Sequence, residues 1–134
     1  MNKTREWLMM VVLSATLAST TAVAATPNVM CATVEVTECV SGLPCDESTS
    51  VAMAIPPFLR INFEERTIRG KRANDEELVT EIVNVRRTDD GVVLQGIDEG
   101  LGWTMSLSEA DGSMSLAVSG DLLGYVIFGN CMVM

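Results

Sequence analysis

Few residues in this chain have the chemistry for catalysis. Histidine is absent from the 134 residues, so the sequence contains no Ser-His-Asp triad, no Cys-His couple and no imidazole ligand for a metal ion. Lys71 is the only lysine after Lys3, and no S-x-x-K motif places a lysine beside a nucleophilic serine. The sequence therefore predicts no catalytic residue, no cofactor and no metal ligand, as expected of a protein that is not an enzyme.

Adjacent carboxylates are the remaining candidates for acid–base chemistry, and the chain contains Glu64-Glu65, Asp89-Asp90 and Asp98-Glu99. Neighbouring residues of a strand point to opposite faces, so Glu64 and Glu65 are not expected to act as a pair. The other two pairs coincide with turn signals, where acidic residues are common. A two-carboxylate hydrolase needs only two acids that the fold brings together, so a small hydrolase of this type stays open as an alternative.

Four cysteines, Cys31, Cys39, Cys45 and Cys131, point to disulfide chemistry. An even number in a short exported chain predicts disulfide bonds rather than a catalytic thiol or a zinc site. Cys39 and Cys45 flank a turn-forming stretch, and Cys31 lies beside Cys131 if the first and last strands are antiparallel neighbours. Of the three connectivities that four cysteines allow, we expect Cys31–Cys131 with Cys39–Cys45.

The N-terminal residues predict export. Residues 1–24 combine a positively charged start, an apolar core over Leu8–Leu17 and a small-x-small site at Ala22–Ala24, which is the pattern of a secretory signal peptide. The apolar core has about ten residues, whereas a membrane-spanning helix needs roughly 20. We therefore expect a periplasmic or secreted protein with one domain over residues 25–134 and no membrane span in that domain.

The charge balance excludes nucleic acid as a partner. The full chain carries 9 basic and 18 acidic side chains, a net charge of -9. Loss of Lys3, Arg5 and Glu6 with the signal peptide leaves 7 basic and 17 acidic side chains, a net charge of -10. Nucleic-acid binding requires lysines and arginines against phosphate. Long-range attraction instead favours a basic protein or another envelope component as the partner.

Strand periodicity dominates the rest of the chain. Apolar and polar residues alternate with a period of two, as in half-buried strands, and turn signals such as Asp89-Asp90-Gly91 and Asp111-Gly112 separate the runs. About eight strands are predicted, over 29–37, 57–63, 66–70, 81–87, 91–97, 102–108, 112–119 and 124–130. Between two of them, Asn74 and Glu77 match a helix N-cap and its third-position acid, so a short helix there is an alternative to a loop.

One hairpin is specific enough to predict its register. With Glu109–Gly112 as the loop, every apolar residue of one arm faces an apolar residue of the other. The predicted pairs are Leu107 with Met114, Met105 with Leu116, and Trp103 with Val118. A shift by one residue would place Leu107 opposite serine, so the pattern specifies this register.

These strands predict an all-β fold, an antiparallel meander that forms a small closed barrel, with a β-sandwich as the alternative. Closure would remove the unpaired edges, and the Cys31–Cys131 disulfide would link the first and last strands. With strands this short, we expect side chains to fill the interior. The expected core consists of Leu59, Ile61, Phe63, Trp103, Met105, Leu107, Met114, Leu116 and Val118. The apolar stretch Ser50–Pro57 either packs under the fold or forms a contact surface.

Several short motifs carry a resemblance. Thr37-Glu38-Cys39 followed by Gly42 and Cys45, together with the ending Phe128-Gly129-Asn130-Cys131, resembles small exported bacterial proteins of uncharacterised function. That group implies no activity and no catalytic residues. In size, export, acidity and terminal disulfide, the chain is also similar to the barrel-shaped periplasmic inhibitors of lysozyme, although it lacks their serine-glycine-rich motif and paired tryptophans.

Three functions follow as hypotheses from these observations. The first is a non-enzymatic exported β-barrel that acts as a binding or interaction module in the bacterial envelope, with a lysozyme-inhibitor-like protein as one variant. The second is a small carboxylate-based hydrolase, which requires two acids that converge in a cleft. The third is a carrier of a small ligand, which requires a sizeable apolar cavity.

Overall fold

The fold is built entirely from strands over residues 27–134, which are the residues that a computed structural model describes. The predicted signal peptide, residues 1–24, lies outside them. Ten antiparallel strands are present, and the described residues contain no helix. The strands are β1 (Val29–Val40), β2 (Asp46–Ser48), β3 (Phe58–Asn62), β4 (Thr67–Lys71), β5 (Glu77–Glu81), β6 (Asn84–Arg87), β7 (Gly91–Asp98), β8 (Leu101–Ser108), β9 (Ser113–Ser119) and β10 (Leu123–Val133).

All ten strands belong to one sheet. Nine follow the order β5-β4-β3-β1-β10-β9-β8-β7-β6, and the short β2 pairs with the second half of β1. β6 to β10 form a meander of consecutive hairpins, and the first and last strands are neighbours, as predicted. Because the sheet is one continuous path, the two-sheet sandwich alternative is wrong.

The prediction of a closed barrel of about eight strands is also wrong, because the sheet curls into an open half-barrel. The strand predicted over 81–87 corresponds to β6, and only its first residue, Glu81, belongs to β5, because the chain leaves the ladder at Ile82 and Val83. The amide of Ile82 donates to the carbonyl of Arg66, whereas that of Val83 donates to Gln95, both at 2.8 Å. Ile82 thus bonds next to β4, near one end of the strand order, and Val83 bonds to β7, near the other end. No ladder joins β5 to β7 among the described residues, so the edges approach without closing.

Gly96 permits this approach of the two edges. A β-carbon at this position would overlap the ring of Trp103 and the carbonyl oxygen of Glu81 at the end of β5. At this position of β7, only glycine leaves room for both neighbours.

A strand replaces the short helix that Asn74 and Glu77 suggest. The turn between β4 and β5 is closed by the Arg72 amide, which donates to the carbonyl of Glu76 at 2.9 Å. The side chain of Asn74 accepts a hydrogen bond from the Glu76 amide at 3.1 Å, so it caps a hairpin turn rather than a helix. β5 then starts at Glu77, the residue that would have completed a helical cap.

The predicted register of the β8–β9 hairpin is confirmed. Leu107 pairs with Met114, Met105 with Leu116, and Trp103 with Val118. The inward residues of this hairpin form one wall of the core, in which Met105 has no exposed surface. The core continues through the neighbouring β10, where Ile127 is nearly fully buried, to β3, where Ile61 is fully buried.

Seven of the nine predicted core residues are buried, and Phe63 and Val118 are only half-buried. β3 ends at Asn62, whose side chain accepts a hydrogen bond from the Glu65 amide at 2.9 Å. Phe63 therefore belongs to the turn, where the Arg87 guanidinium lies 5.8 Å from its ring centre. Val118 packs against the core and also borders a cavity.

Two disulfides join Cys31 to Cys131 and Cys39 to Cys45, the pairing predicted from the strand order. The first links β1 to β10 at facing positions of the sheet and spans 100 residues of sequence. The second spans 6 residues and closes the loop after β1. These bonds indicate an oxidising, extracytoplasmic environment.

Candidate functional site

The half-barrel encloses a cavity of about 390 Å³, which we call the interior pocket. Its walls include side chains from both halves of the sheet, among them the buried Leu59, Ile68, Met105, Leu116 and Ile127. This volume lies in the range of small-molecule sites, which are lined mainly by apolar side chains. Side chains therefore fill the interior only in part, as a packed core beside this cavity. Ten strands curve around a wider space than eight, and residues 27–134 contain only five aromatic residues to fill it.

Two aromatic residues lie on one wall of the interior pocket, on either side of Val118 in the sheet. Val118 of β9 pairs with Trp103 on one side and with Tyr125 on the other. The indole N–H of Trp103 donates to the hydroxyl of Thr80 on β5 at 3.2 Å, in a buried position. This hydrogen bond fixes the ring across the half-barrel and satisfies the polar atom of the indole.

The apolar stretch Ser50–Pro57 packs under the fold and covers part of the interior pocket. Ile55 and Pro56 are buried, and both contribute to the lining. Its turn is held by the Ile55 amide, which donates to the carbonyl of Ser50 at 2.7 Å. The hydroxyl of Thr33 on β1 donates to the Pro56 carbonyl at 3.1 Å. The segment is therefore tied to the first strand.

Charged and hydroxyl groups line one end of the interior pocket, and we call this end the mouth: Arg72, Glu76, Asp98, Glu99 and Tyr125. The Arg72 side chain is 17% exposed, and its Nη1 lies 3.3 Å from Oε1 of Glu76. Its Nε donates to the Ala54 carbonyl at 2.8 Å, which ties the arginine to the covering segment. Glu76 and Glu99 are exposed, so solvent reaches the mouth.

Tyr125 has an altered acidity at the mouth. Burial raises the pKa of its hydroxyl, and the negative charge of Asp98 raises this pKa further, while Arg72 opposes the shift. Burial and a nearby like charge both disfavour the tyrosinate. Tyr125 therefore keeps its proton beyond the pH at which an exposed tyrosine ionises, and it can donate a hydrogen bond in the mouth.

The antiparallel order explains why residues distant in sequence meet at the mouth. The last residues of β4 and β7 and the first residues of β8 and β10 all lie at one end of the half-barrel. Arg72 follows β4, Asp98 closes β7 and Tyr125 lies near the start of β10. The sequence analysis treated Arg72 as a loop charge and did not consider Tyr125. The strand order could have identified them, because it places the end of β4 and the start of β10 at the same end of the sheet.

The acidic pairs occupy different places in the fold. Glu64 and Glu65 lie in the turn after β3 rather than in a strand, which corrects the reason given for separating them. Asp89 and Asp90 lie in the turn between β6 and β7, whereas Asp98-Glu99 reaches the mouth. Within residues 27–134, no group of three or more acidic or cysteine side chains is placed to hold a metal ion. The same residues include no helix long and apolar enough to cross a membrane.

A second cavity, of about 690 Å³, lies at the opposite end of the half-barrel. Its walls include the last residues of β10, of which Met132 is 70% and Val133 65% exposed. Val92 and Leu107 are the buried apolar residues of its lining, whereas a larger set of buried core residues lines the interior pocket. We therefore take the interior pocket as the candidate site.

Comparison with known proteins finds no match to the chain. No protein-family description matches it. No curated protein and no solved structure matches it either. The resemblance to small exported bacterial proteins and to lysozyme inhibitors therefore stays a prediction, and the geometry of the interior pocket is what bears on function.

Proposed function

We propose that the protein is an exported, non-enzymatic binding protein that holds a small, largely apolar ligand in the interior pocket of its half-barrel. The observation that carries this proposal is a cavity of about 390 Å³ with buried apolar walls and a polar mouth at one end. Ligand sites in proteins combine these features, since apolar walls supply affinity and a few polar groups fix orientation. The two disulfides support a periplasmic or secreted location.

The test is a calorimetric titration with octanol, an uncharged molecule with an apolar chain. We expect saturable binding that is weakened by about tenfold or more in Val118→Phe, because the larger ring occupies the pocket. Val79→Phe is the matched control, since Val79 lies on β5 with 45% of its surface exposed and does not line the pocket. Absence of saturable octanol binding, or equal weakening by both variants, would contradict the proposal.

A basic protein is a second candidate partner, because residues 25–134 carry 17 acidic and 7 basic side chains. This excess attracts cationic surfaces over long range, and it also supports the lysozyme-inhibitor-like variant. Affinity capture from an envelope extract at low and at raised salt tests this candidate. Partners recruited by charge are lost as salt rises, whereas retention of the same proteins at both salt concentrations would count against it.

The hydrolase alternative has less support from the geometry. Of the three carboxylates at the mouth, Glu76 is engaged by Arg72 at 3.3 Å. The pair that remains, Asp98-Glu99, borders an apolar cavity, which offers few polar groups to orient a hydrolytic substrate. We therefore retain binding as the function and treat the carboxylates as groups that orient the ligand.

A further inference from the structure

The mouth carries an excess of negative charge. Three carboxylates, those of Glu76, Asp98 and Glu99, line it together with one guanidinium, that of Arg72. Arg72 is already engaged, because its Nε donates to the Ala54 carbonyl at 2.8 Å and its Nη1 lies 3.3 Å from Oε1 of Glu76. The charge left to meet a ligand is therefore that of Asp98 and Glu99.

An aromatic ring lies beside these carboxylates. Tyr125 is half-buried and lines the same end of the cavity, and the charge of Asp98 acts directly on its hydroxyl. The face of an aromatic ring attracts cations, most strongly where the site is partly desolvated. A carboxylate and an aromatic face at one opening together favour a positively charged group over a neutral or a negative one.

We infer that the ligand is a cationic amphiphile, whose apolar chain fills the interior pocket and whose ammonium group lies at the mouth beside Asp98, Glu99 and the ring of Tyr125. This inference rests on the proposed function and adds the charge of the ligand to it. Charge complementarity extends beyond the mouth, since the domain carries a net charge of -10 that raises the local concentration of cations.

An anionic amphiphile fits the same cavity less well. Its head group would face two carboxylates, and the single guanidinium nearby is already held by a carboxylate and a backbone carbonyl. An anion that bound Arg72 would compete with the carboxylate of Glu76, which lies 3.3 Å from Nη1. The arrangement therefore discriminates by charge as well as by apolar fit.

The experiment compares three probes with the same chain and different heads: octyltrimethylammonium, octanol and octyl sulfate, each below its micelle concentration. Calorimetry gives the affinities. We expect the cation to bind roughly fivefold more tightly than octanol, as one partly exposed ion pair provides, and the anion to bind more weakly than octanol. Raised salt should reduce the difference between cation and octanol.

Two variants locate the charge effect. Asp98→Asn and Glu99→Gln should each reduce the preference for the cation over octanol by about threefold, because the affinity for the cation falls by more than the affinity for octanol. Asp89→Asn is the matched control, because Asp89 lies in the β6–β7 turn at the opposite end of the half-barrel and lines neither cavity. Circular dichroism of each variant verifies that the sheet is intact.

Tyrosinate absorbance supplies an independent readout, since Tyr125 is the only tyrosine of the chain. A bound ammonium group at the mouth stabilises the tyrosinate, so saturation with octyltrimethylammonium should lower the pKa of Tyr125, and octanol should not.

The outcomes separate the two proposals. Equal affinity for the three probes, or tighter binding of octyl sulfate, would overturn the inference about charge and leave the binding function standing. Cation binding that survives Val118→Phe unchanged would also overturn it, because the probe would then occupy another surface. Failure of all three probes to bind would overturn the binding function itself.

Discussion

Tyr125 reports on the electrostatics of the mouth at the scale of a single residue. Burial and Asp98 raise the pKa of its hydroxyl. The protonated hydroxyl therefore contributes stability that is present below pH of about 10, the pKa of a free tyrosine. This contribution is lost as the pH rises through the higher pKa of the folded state.

Removal of the Asp98 charge should lower the pKa of Tyr125. In Asp98→Asn the negative charge that opposes ionisation is absent, so the tyrosinate forms at lower pH than in the unaltered protein. An absorbance titration measures this directly, with Asp89→Asn as the control that leaves the curve in place. Identical titration of Tyr125 in Asp98→Asn and in the unaltered protein would contradict the described position of Asp98.

Asp111 gives a second prediction at the residue scale, in acid. Hydrogen bonds from the Ser113 amide at 3.0 Å and from the Ser113 hydroxyl at 2.8 Å reach its carboxylate. Together with the Ser108 hydroxyl they lower the pKa of Asp111 from its ordinary value of 3.8 to about 2. A lowered carboxyl pKa contributes stability above the ordinary value that is lost as the pH falls towards the folded value.

The melting temperature of the unaltered protein should therefore fall more steeply below a pH of about 4 than that of Asp111→Asn, which has no titrating group at this position. At neutral pH the variant should be the less stable of the two, since its neutral oxygen accepts weaker hydrogen bonds. Asp89→Asn again serves as the control. Parallel curves for all three proteins would show that the Asp111 carboxylate does not contribute to the loss of stability in acid.

At the scale of strands, the bond between Trp103 and Thr80 ties β8 to β5 across the interior. The two atoms are 3.2 Å apart and buried. Thr80→Val keeps the shape of the side chain but leaves the indole N–H without this acceptor, so we expect a loss of about 1–3 kcal/mol in the free energy of unfolding.

Thr80→Ser restores the hydroxyl, and most of the lost stability should return with it. Denaturant unfolding of the three proteins measures the difference. A valine variant as stable as the serine variant would show that the hydrogen bond is not needed to hold the two strands.

The sequence predicts strands well where apolar residues on one face alternate regularly with polar residues on the other. The β8–β9 hairpin is such a case, because its inward residues are apolar and its outward ones are mostly serine and threonine, which specifies register as well as strand. β5 is the opposite case. In β5 the polar Thr80 is buried and the apolar Val79 is exposed. The pattern of apolar and polar residues therefore does not indicate a strand there.

The division of the 81–87 strand could not be predicted, because it depends on partners far away in sequence. Ile82 bonds to Arg66 and Val83 to Gln95, and these bonds redirect the chain from one edge of the sheet to the other. The same bend turns an expected closed barrel into an open half-barrel. A local pattern contains no information about which distant carbonyl each amide meets.

The interior pocket and its mouth were harder to predict from the sequence than the strands. Trp103, Met105 and Leu116 were expected to fill the interior, and their inward direction is right. Whether inward side chains leave a cavity depends on the strand number and the curvature of the sheet, which set the space to be filled. The mouth is formed by residues of three separated segments, namely the β4–β5 turn, the end of β7 and the start of β10, so no local motif marks it.

At the scale of the whole molecule, the Cys31–Cys131 disulfide constrains most of the chain. It closes a loop of 100 residues, whereas Cys39–Cys45 spans 6. By the loop-closure relation, the long loop contributes about 4.7 kcal/mol and the short one about 2 kcal/mol. A domain of this size is stable by only about 5–15 kcal/mol, so the long closure is a large share.

Replacing Cys31 and Cys131 together by serine should therefore lower the free energy of unfolding by roughly twice as much as replacing Cys39 and Cys45. Denaturant titrations of both double variants, exported and purified in the same way, make the comparison. Equal losses would mean that loop closure does not account for the stabilisation.

The claim on which the function depends is that the interior of the half-barrel is a ligand site, and the most direct test is to locate a bound probe. Nuclear Overhauser contacts between octanol and the protein measure its position. We predict contacts from the octyl chain to Trp103, Met105 and Val118, which line the interior pocket. Contacts confined to Met132 and Val133 at the opposite end, or no contacts under saturating octanol, would contradict the account.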